Sequence, residues 1–83
     1  MSSPDAETVP LSALMPGERA IVRRTRELNP AVFRLIELGL TPGAEVEMVR
    51  RAPLGGPRQV RVRRSRICLR RPDAACFELE RLP

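Results

Sequence analysis

The sequence predicts a mainly β fold, a small, partly open barrel of about five strands with one short α-helix inserted after the first strand. Three observations carry that expectation. Apolar and polar residues alternate in short runs between Arg19 and Leu79, Pro-Gly and Gly-Gly pairs punctuate those runs, and one stretch, Pro30 to Leu38, repeats its apolar residues at helical spacing. Short strands so closely spaced are better satisfied by a sheet that curls to remove its edges than by a flat one. Alternation alone does not choose among small barrels, and an OB-like arrangement stays open.

Met1 to Val9 is polar, contains Ser2-Ser3-Pro4-Asp5 and has no period, so residues 1–9 read as a flexible leader to a domain spanning 10–83. Leu11 and Leu14 sit at the spacing of one helical turn that packs on the core, before Met15-Pro16-Gly17-Glu18 reverses the chain. Arg19 to Arg24 is the first strand, and because Ile21 and Val22 are both apolar its two faces stay unassigned. Asn29 then caps the helix by accepting from its first free amides, and Pro30 fits the first helical position, where a missing N–H costs nothing. At about 100° per residue, Leu35, Val32, Ile36 and Phe33 fill one buried arc, Arg34 and Glu37 face away, and Leu38 falls outside the arc beside Arg34. Gly39 is placed to end the helix as its left-handed residue, with Leu40 packing back on Leu35 and Pro42 preventing continuation.

Thr41-Pro42-Gly43-Ala44 carries the proline and glycine of a type II turn. In the second strand Glu45 and Glu47 alternate with Val46 and Met48, and Val49 breaks the alternation ahead of Arg50, which predicts a bulge or a sharp bend. Pro53-Leu54-Gly55-Gly56-Pro57 closes that strand with a stiff loop. In the third strand Gln59, Arg61 and Arg63 oppose Val60 and Val62, and in the fourth Arg66, Cys68 and Arg70 oppose Ile67 and Leu69. Pro72-Asp73 opens a short turn. Phe77 and Leu79 point inward from the last strand, while Glu78 and Glu80 point out toward the arginines of a neighbour.

Eighty-three residues make one domain with a thin core, since a chain of this size buries only about 60 to 65 per cent of the surface its unfolded form exposes. The two aromatic residues, Phe33 and Phe77, leave branched aliphatics to fill the interior, so a deep ligand cavity is not expected. No apolar run approaches the roughly 20 residues that span a bilayer, and the first residues lack the pattern of a signal peptide, which predicts a cytoplasmic protein. The sequence has no histidine and no nucleophile elbow, and Gly55-Gly56 is followed by Pro57 rather than the Lys-Ser/Thr of a phosphate-binding loop. An enzyme, a cofactor and a small-molecule substrate are therefore not expected. Cys68 and Cys76 read as reduced, partly buried thiols, because two cysteines without histidine build neither a zinc finger nor a redox pair. All fifteen basic residues are arginine, and seven of them lie between Arg58 and Arg71 with no acid among them, so the charge is polarised.

The joint presence of LxELGLTPG, here Leu35 to Gly43, and PLGxP, here Pro53 to Pro57, resembles the FeoA family over roughly Leu11 to Leu79. One departure is Arg64-Ser65, which stands where relatives place a glycine between the third and fourth strands. The resemblance implies an SH3-like barrel and a non-enzymatic accessory role in ferrous iron transport, with the cytoplasmic portion of a FeoB-like membrane transporter as the partner. Similar domains at the carboxyl end of iron-dependent repressors imply a place in metal homeostasis and a weak transition-metal site, for which this chain offers no histidine.

Two apolar protrusions are the candidate partner-binding elements: Leu38-Gly39-Leu40 at the helix end, and Pro53-Leu54-Gly55 at the loop tip. Arg61, Arg63 and Arg66 would steer them toward an acidic protein face or inner-leaflet lipid headgroups. The competing reading is a small basic barrel that binds RNA or DNA through its arginine face. Single-strand binders add exposed aromatic platforms, and both phenylalanines here read as internal, which disfavours it. Self-association through the apolar loops is a third possibility.

Overall fold

Turn chemistry sets the frame. In the computed structural model, which describes residues 7–83, Pro-Gly turns at Met15–Glu18 and Thr41–Ala44 close with the amides of Glu18 and Ala44 donating to the carbonyls of Met15 and Thr41 at 3.0 and 2.9 Å. Gly17 and Gly43 both lie at φ 91°, as the third place of a type II turn requires. The elements in chain order are β1 (Val9–Pro10), a 3-10 turn (Leu11–Ala13), β2 (Arg19–Thr25), α1 (Pro30–Glu37), β3 (Glu45–Arg51), β4 (Arg58–Val62), β5 (Ser65–Leu69), α2 (Arg71–Ala74) and β6 (Phe77–Arg81). All strands are antiparallel in one open sheet of order β1-β6-β2-β3-β4-β5.

The sheet has six strands rather than five. The extra one, Val9–Pro10, begins inside the stretch read as a leader. A two-residue strand shows no period, and it is fixed instead by pairing Val9 with Leu79 and Pro10 with Glu78. Residues 1–6 of that leader lie outside the described residues. Pro72-Asp73 falls within the short helix α2 rather than a simple turn. The bulge expected at Val49 is present, where the β3–β4 register shifts between Met48 and Arg50, and a second shift separates Val22 from Arg24.

The inner face of the sheet carries Val22, Val46, Met48, Val60, Val62, Phe77 and Leu79, all almost fully buried. Leu11 and Leu14 from the 3-10 turn, together with Val32 and Leu35 from α1, complete the core. The buried arc of α1 is narrower than its sequence suggests, because Phe33 at the far edge of the arc is 55% exposed and Ile36 only partly buried. Val32 and Leu35 fill most of the space between helix and sheet, with Ile36 packed at its margin.

The β4–β5 hairpin turns through Arg63-Arg64, since Val62 pairs directly with Ser65. Arg63 is thus a turn residue rather than the end of a strand. It sits at φ 56°, the left-handed region that a two-residue hairpin turn demands at its first central place. Relieving that conformation is worth roughly 1–2 kcal/mol, and glycine's extra chain entropy removes about 0.5–1 of it. Arg63→Gly is therefore expected to raise stability by about 0.5–1 kcal/mol, measured as an upward shift of the urea midpoint at constant slope.

Ion pairs line the outer face of β6. The Arg24 Nε donates to Glu78 Oε1 at 2.6 Å, Arg26 Nε lies 3.3 Å from Glu78 Oε2, and Arg23 Nε donates to Glu80 at 2.9 Å. The hydrogen bond from Arg24 holds the Glu78 carboxyl below the usual glutamate range, with burial opposing and the charges of Arg24 and Arg26 assisting. A carboxyl depressed on folding stabilises above its unfolded pKa, and that contribution is lost as pH falls through the folded value. Acid unfolding followed by circular dichroism is expected to lose part of its pH slope below the ordinary glutamate range in Glu78→Gln; an unchanged slope would remove Glu78 from the acid response.

Candidate docking surface

The helix ends in a Schellman motif. The amide of Gly39 donates to the Ile36 carbonyl at 3.0 Å and that of Leu40 to the Leu35 carbonyl at 3.1 Å, satisfying carbonyls the last turn would otherwise leave free. This geometry needs a residue at Gly39 that tolerates φ 135°, and it brings Gly39 against β4, where an added Cβ would lie 3.2 Å from Val62 Cγ1. It also separates the two leucines offered as contacts. Leu38 is 54% exposed, whereas Leu40 has no exposed surface and belongs to the core. Leu40 is therefore not available to a partner; completing the helix stop turns it inward.

The loop between β3 and β4 closes as a type I′ turn: the amide of Gly56 donates to the Pro53 carbonyl at 3.2 Å, with Leu54 at φ 59° and Gly55 at φ 73°. The loop is anchored at its base by the Ala52 amide donating to the Pro57 carbonyl at 3.0 Å. Leu54 occupies the place where asparagine or glycine is usual, and its relative exposure is 104%. A large apolar side chain is thus held in a disfavoured backbone conformation with no contact that stabilises the domain.

Leu38 and Leu54 stand at opposite ends of the β4–β5 hairpin. Leu38 precedes Gly39, which packs against Val62 beside the Arg63-Arg64 turn, while the Leu54 loop adjoins Arg58, which pairs with Leu69. Arg58 and Val62 are four residue steps apart along β4, about 13 Å at roughly 3.3 Å per residue. The arginines are likewise divided. Arg61 is held by Glu47 at 3.1 Å and faces Arg66 across the hairpin, while Arg63 and Arg66 are exposed and make no ion pair among the described residues.

At the Leu54 end a groove of about 710 Å³ lies between the loop, the 3-10 turn and α2, lined by Ser12, Met15, Arg51, Leu54, Arg58 and Arg71 among others. Arg58 is the feature that sequence reading missed. Its side chain belongs to the inward face with Val60 and Val62, and the residue is only 3% exposed. The guanidinium donates to the Gly56 carbonyl at 2.9 Å and the Ser12 carbonyl at 3.4 Å, tying the loop to the 3-10 turn, and its Nε–H has no partner among the described residues. Burial, followed by the charges of Arg51 and Arg71, pushes its pKa down. The period-two register through Arg58, Val60 and Val62 was the signal that could have found it.

Met15, Leu28 and Phe33 are three further large apolar side chains more than half exposed. Cys68 and Cys76 are both free, Cys68 exposed and Cys76 half-buried. Cys76 donates to the Pro72 carbonyl at 3.4 Å, and burial, with Glu27 and Asp73 nearby, pushes its thiol up, so it is held as an unreactive thiol.

A small open antiparallel sheet with large side chains exposed around its rim defines the class, a small β domain. The chain belongs to the FeoA family: the FeoA domain model matches residues 9–81, and the family is a small non-enzymatic accessory domain. It is 34% identical over 70 residues to an Fe(2+) transport protein A/Fe(2+) transporter FeoB fusion protein of Porphyromonas gingivalis, covering 84% of this chain and 8% of that relative's length. Among solved structures, an iron uptake regulatory protein (FeoA) matches with TM-score 0.80 and 30% identity, covering 92% of this chain and 99% of the other. The FeoA of Stenotrophomonas maltophilia, a prokaryotic SH3-domain protein crystallised with zinc, matches with TM-score 0.74 and 35% identity over 90% of this chain and 91% of that one. The SH3-like fold implied by the two sequence motifs is the fold present. The donor set here does not suit a transition metal: the chain has no histidine, and among the described residues no three Cys, Asp or Glu side chains converge.

Proposed function

We propose that this chain is a cytoplasmic accessory protein of ferrous iron transport that docks on the cytoplasmic portion of a FeoB-like transporter through its exposed aliphatic tips. Family membership and the kinship with a protein carrying both transport protein A and FeoB support the role in ferrous iron transport and the choice of partner. No helix among the described residues is long and apolar enough to cross a membrane.

The observation that carries the docking reading is Leu54, a fully exposed leucine kept at φ 59° on a loop fixed at its base. Such strain persists where the surroundings over-determine it and where function uses it. Burying one leucine on a partner is worth about 1.5–3 kcal/mol, and a loop already rigid loses little entropy on binding. Leu38 is the second tip, and the exposed Arg63 and Arg66 are the charges that steer encounter. Titrating the chain against the isolated cytoplasmic portion of a FeoB-like transporter tests this: Leu38→Ser is expected to weaken association about tenfold with the thermal midpoint nearly unchanged, and unaltered association would remove Leu38 from the surface.

The exposure of Phe33 lifts one objection to a nucleic-acid partner. A single ring on a helix is a poor platform for successive stacked bases, and Arg19 and Arg61 are engaged by Glu45 and Glu47. Association that falls steeply with salt and tracks Arg63 and Arg66 rather than the leucines would favour the nucleic acid.

A further inference from the structure

We infer that the groove beneath the Leu54 loop is an oxyanion site that takes a phosphate-type group through Arg51, Arg58 and Arg71. This does not rest on the docking reading. Arg51 and Arg58 are directly opposed across β3 and β4, an arrangement of like charges that destabilises a sheet unless something neutralises it. Arg71 reaches over the loop from α2, with its Nη1 3.5 Å from where a Cβ on Gly55 would stand. Among the described residues no carboxylate lines the groove, and none of the three arginines has an ion pair.

Arg58 supplies the fixed charge. It is nine-tenths buried and more, clamped by two backbone carbonyls, and left with an Nε–H that no described residue accepts. Buried guanidinium groups ordinarily have a carboxylate or an anion beside them, and here neither β3, β4, α2 nor the 3-10 turn provides one. Arg51, whose Nη1 touches only the weak acceptor Met15 Sδ, and the exposed Arg71 are free to turn their forks inward.

Three converging cations suit a tetrahedral dianion with three or more acceptor oxygens. A carboxylate, with two oxygens and one charge, would leave most of the positive field unanswered. The apolar rim of Leu54, Met15 and Pro53 further fits a phosphate carried on an organic or lipid body, although free phosphate shares the same recognition chemistry.

Inorganic phosphate titrated at constant ionic strength against chloride, and followed by the arginine Nε and backbone amide NMR signals, tests the site. Saturable shifts confined to Arg51, Gly55, Arg58 and Arg71, with a rise in thermal midpoint, are expected. The double variant Arg51→Gln/Arg71→Gln, which alters no core residue, is expected to weaken phosphate at least tenfold. Arg58→Gln is a less safe probe because it also removes the clamp on the loop. Vesicles of phosphatidylglycerol and of phosphatidylcholine separate the sources: sedimentation with the first alone, lost in the double variant and competed by free phosphate, assigns a lipid headgroup, and localised phosphate shifts without sedimentation assign a soluble phosphate. Shifts spread evenly over all arginines, or a double variant that binds phosphate as the parent does, would overturn the inference.

Discussion

Leu54→Asn is expected to make the domain more stable and a poorer binder at once. The leucine sits at φ 59° in the first central place of a type I′ turn, and glycine follows it at φ 73°. Leucine in the left-handed region costs roughly 1–2 kcal/mol, whereas Asn-Gly is the favoured pair for this turn and adds no glycine entropy. Because the residue is fully exposed, its removal forfeits no buried surface. The gain should approach 1 kcal/mol, about 4–8 °C in thermal midpoint for a domain of this size. If the leucine is an anchor, the same change removes about 1.5–3 kcal/mol from the complex, roughly 10- to 150-fold in affinity. A variant that gains stability and keeps its affinity would show that the loop tip is strained without serving the contact.

Gly39→Ala should have the largest effect on folding. Gly39 lies at φ 135°, beyond even the left-handed helical region, and the new methyl would stand 3.2 Å from Val62 Cγ1 in the packed seam between α1 and β4. A non-glycine residue in such a region costs of order 1–3 kcal/mol, and the steric conflict with a buried valine adds to it. A loss of about 2–4 kcal/mol is expected by urea unfolding, a large share of the roughly 5–15 kcal/mol typical of a domain. A loss below 0.5 kcal/mol would mean the helix end relaxes away from β4, and then Leu38 would not be held where the surface needs it.

The features readable from residue types were those encoded within four or five neighbouring positions. Asn29 caps α1, with its Oδ1 accepting from the Val32 amide at 2.9 Å; Gly39 stops it; both Pro-Gly pairs turn as their chemistry requires; and Val49 marks the bulge. Each depends on local backbone geometry that the residue itself dictates. Apart from the local turns at Arg63 and Pro72-Asp73, most misreadings concern packing between distant segments. Phe33 is apolar and lies on the edge of the helical arc, but whether that edge is covered depends on how α1 seats on the sheet, and Val32 and Leu35 take the available space. Val9–Pro10 is a strand only because β6 lies beside it. Arg58 is buried because its parity on β4 places it under the loop, where two carbonyls hold it, and its charge argued against that placement in a linear reading. Leu38 and Leu40 look equivalent in the sequence and are separated by a single glycine, which turns one out and the other in.

The proposed docking surface joins these threads, because the exposed Leu38 and Leu54 are held in place by the same glycines and turns that define the fold. Hydrogen exchange of the backbone amides, compared with and without the cytoplasmic portion of a FeoB-like transporter, examines that surface without any substitution. Slowed exchange in the Leu54 loop and around Leu38–Gly39, with the outer face of β6 unchanged, is the outcome expected of docking through the tips. Protection confined to β6 or β1, with residues 38–39 and 53–56 exchanging as they do in the free chain, would contradict it.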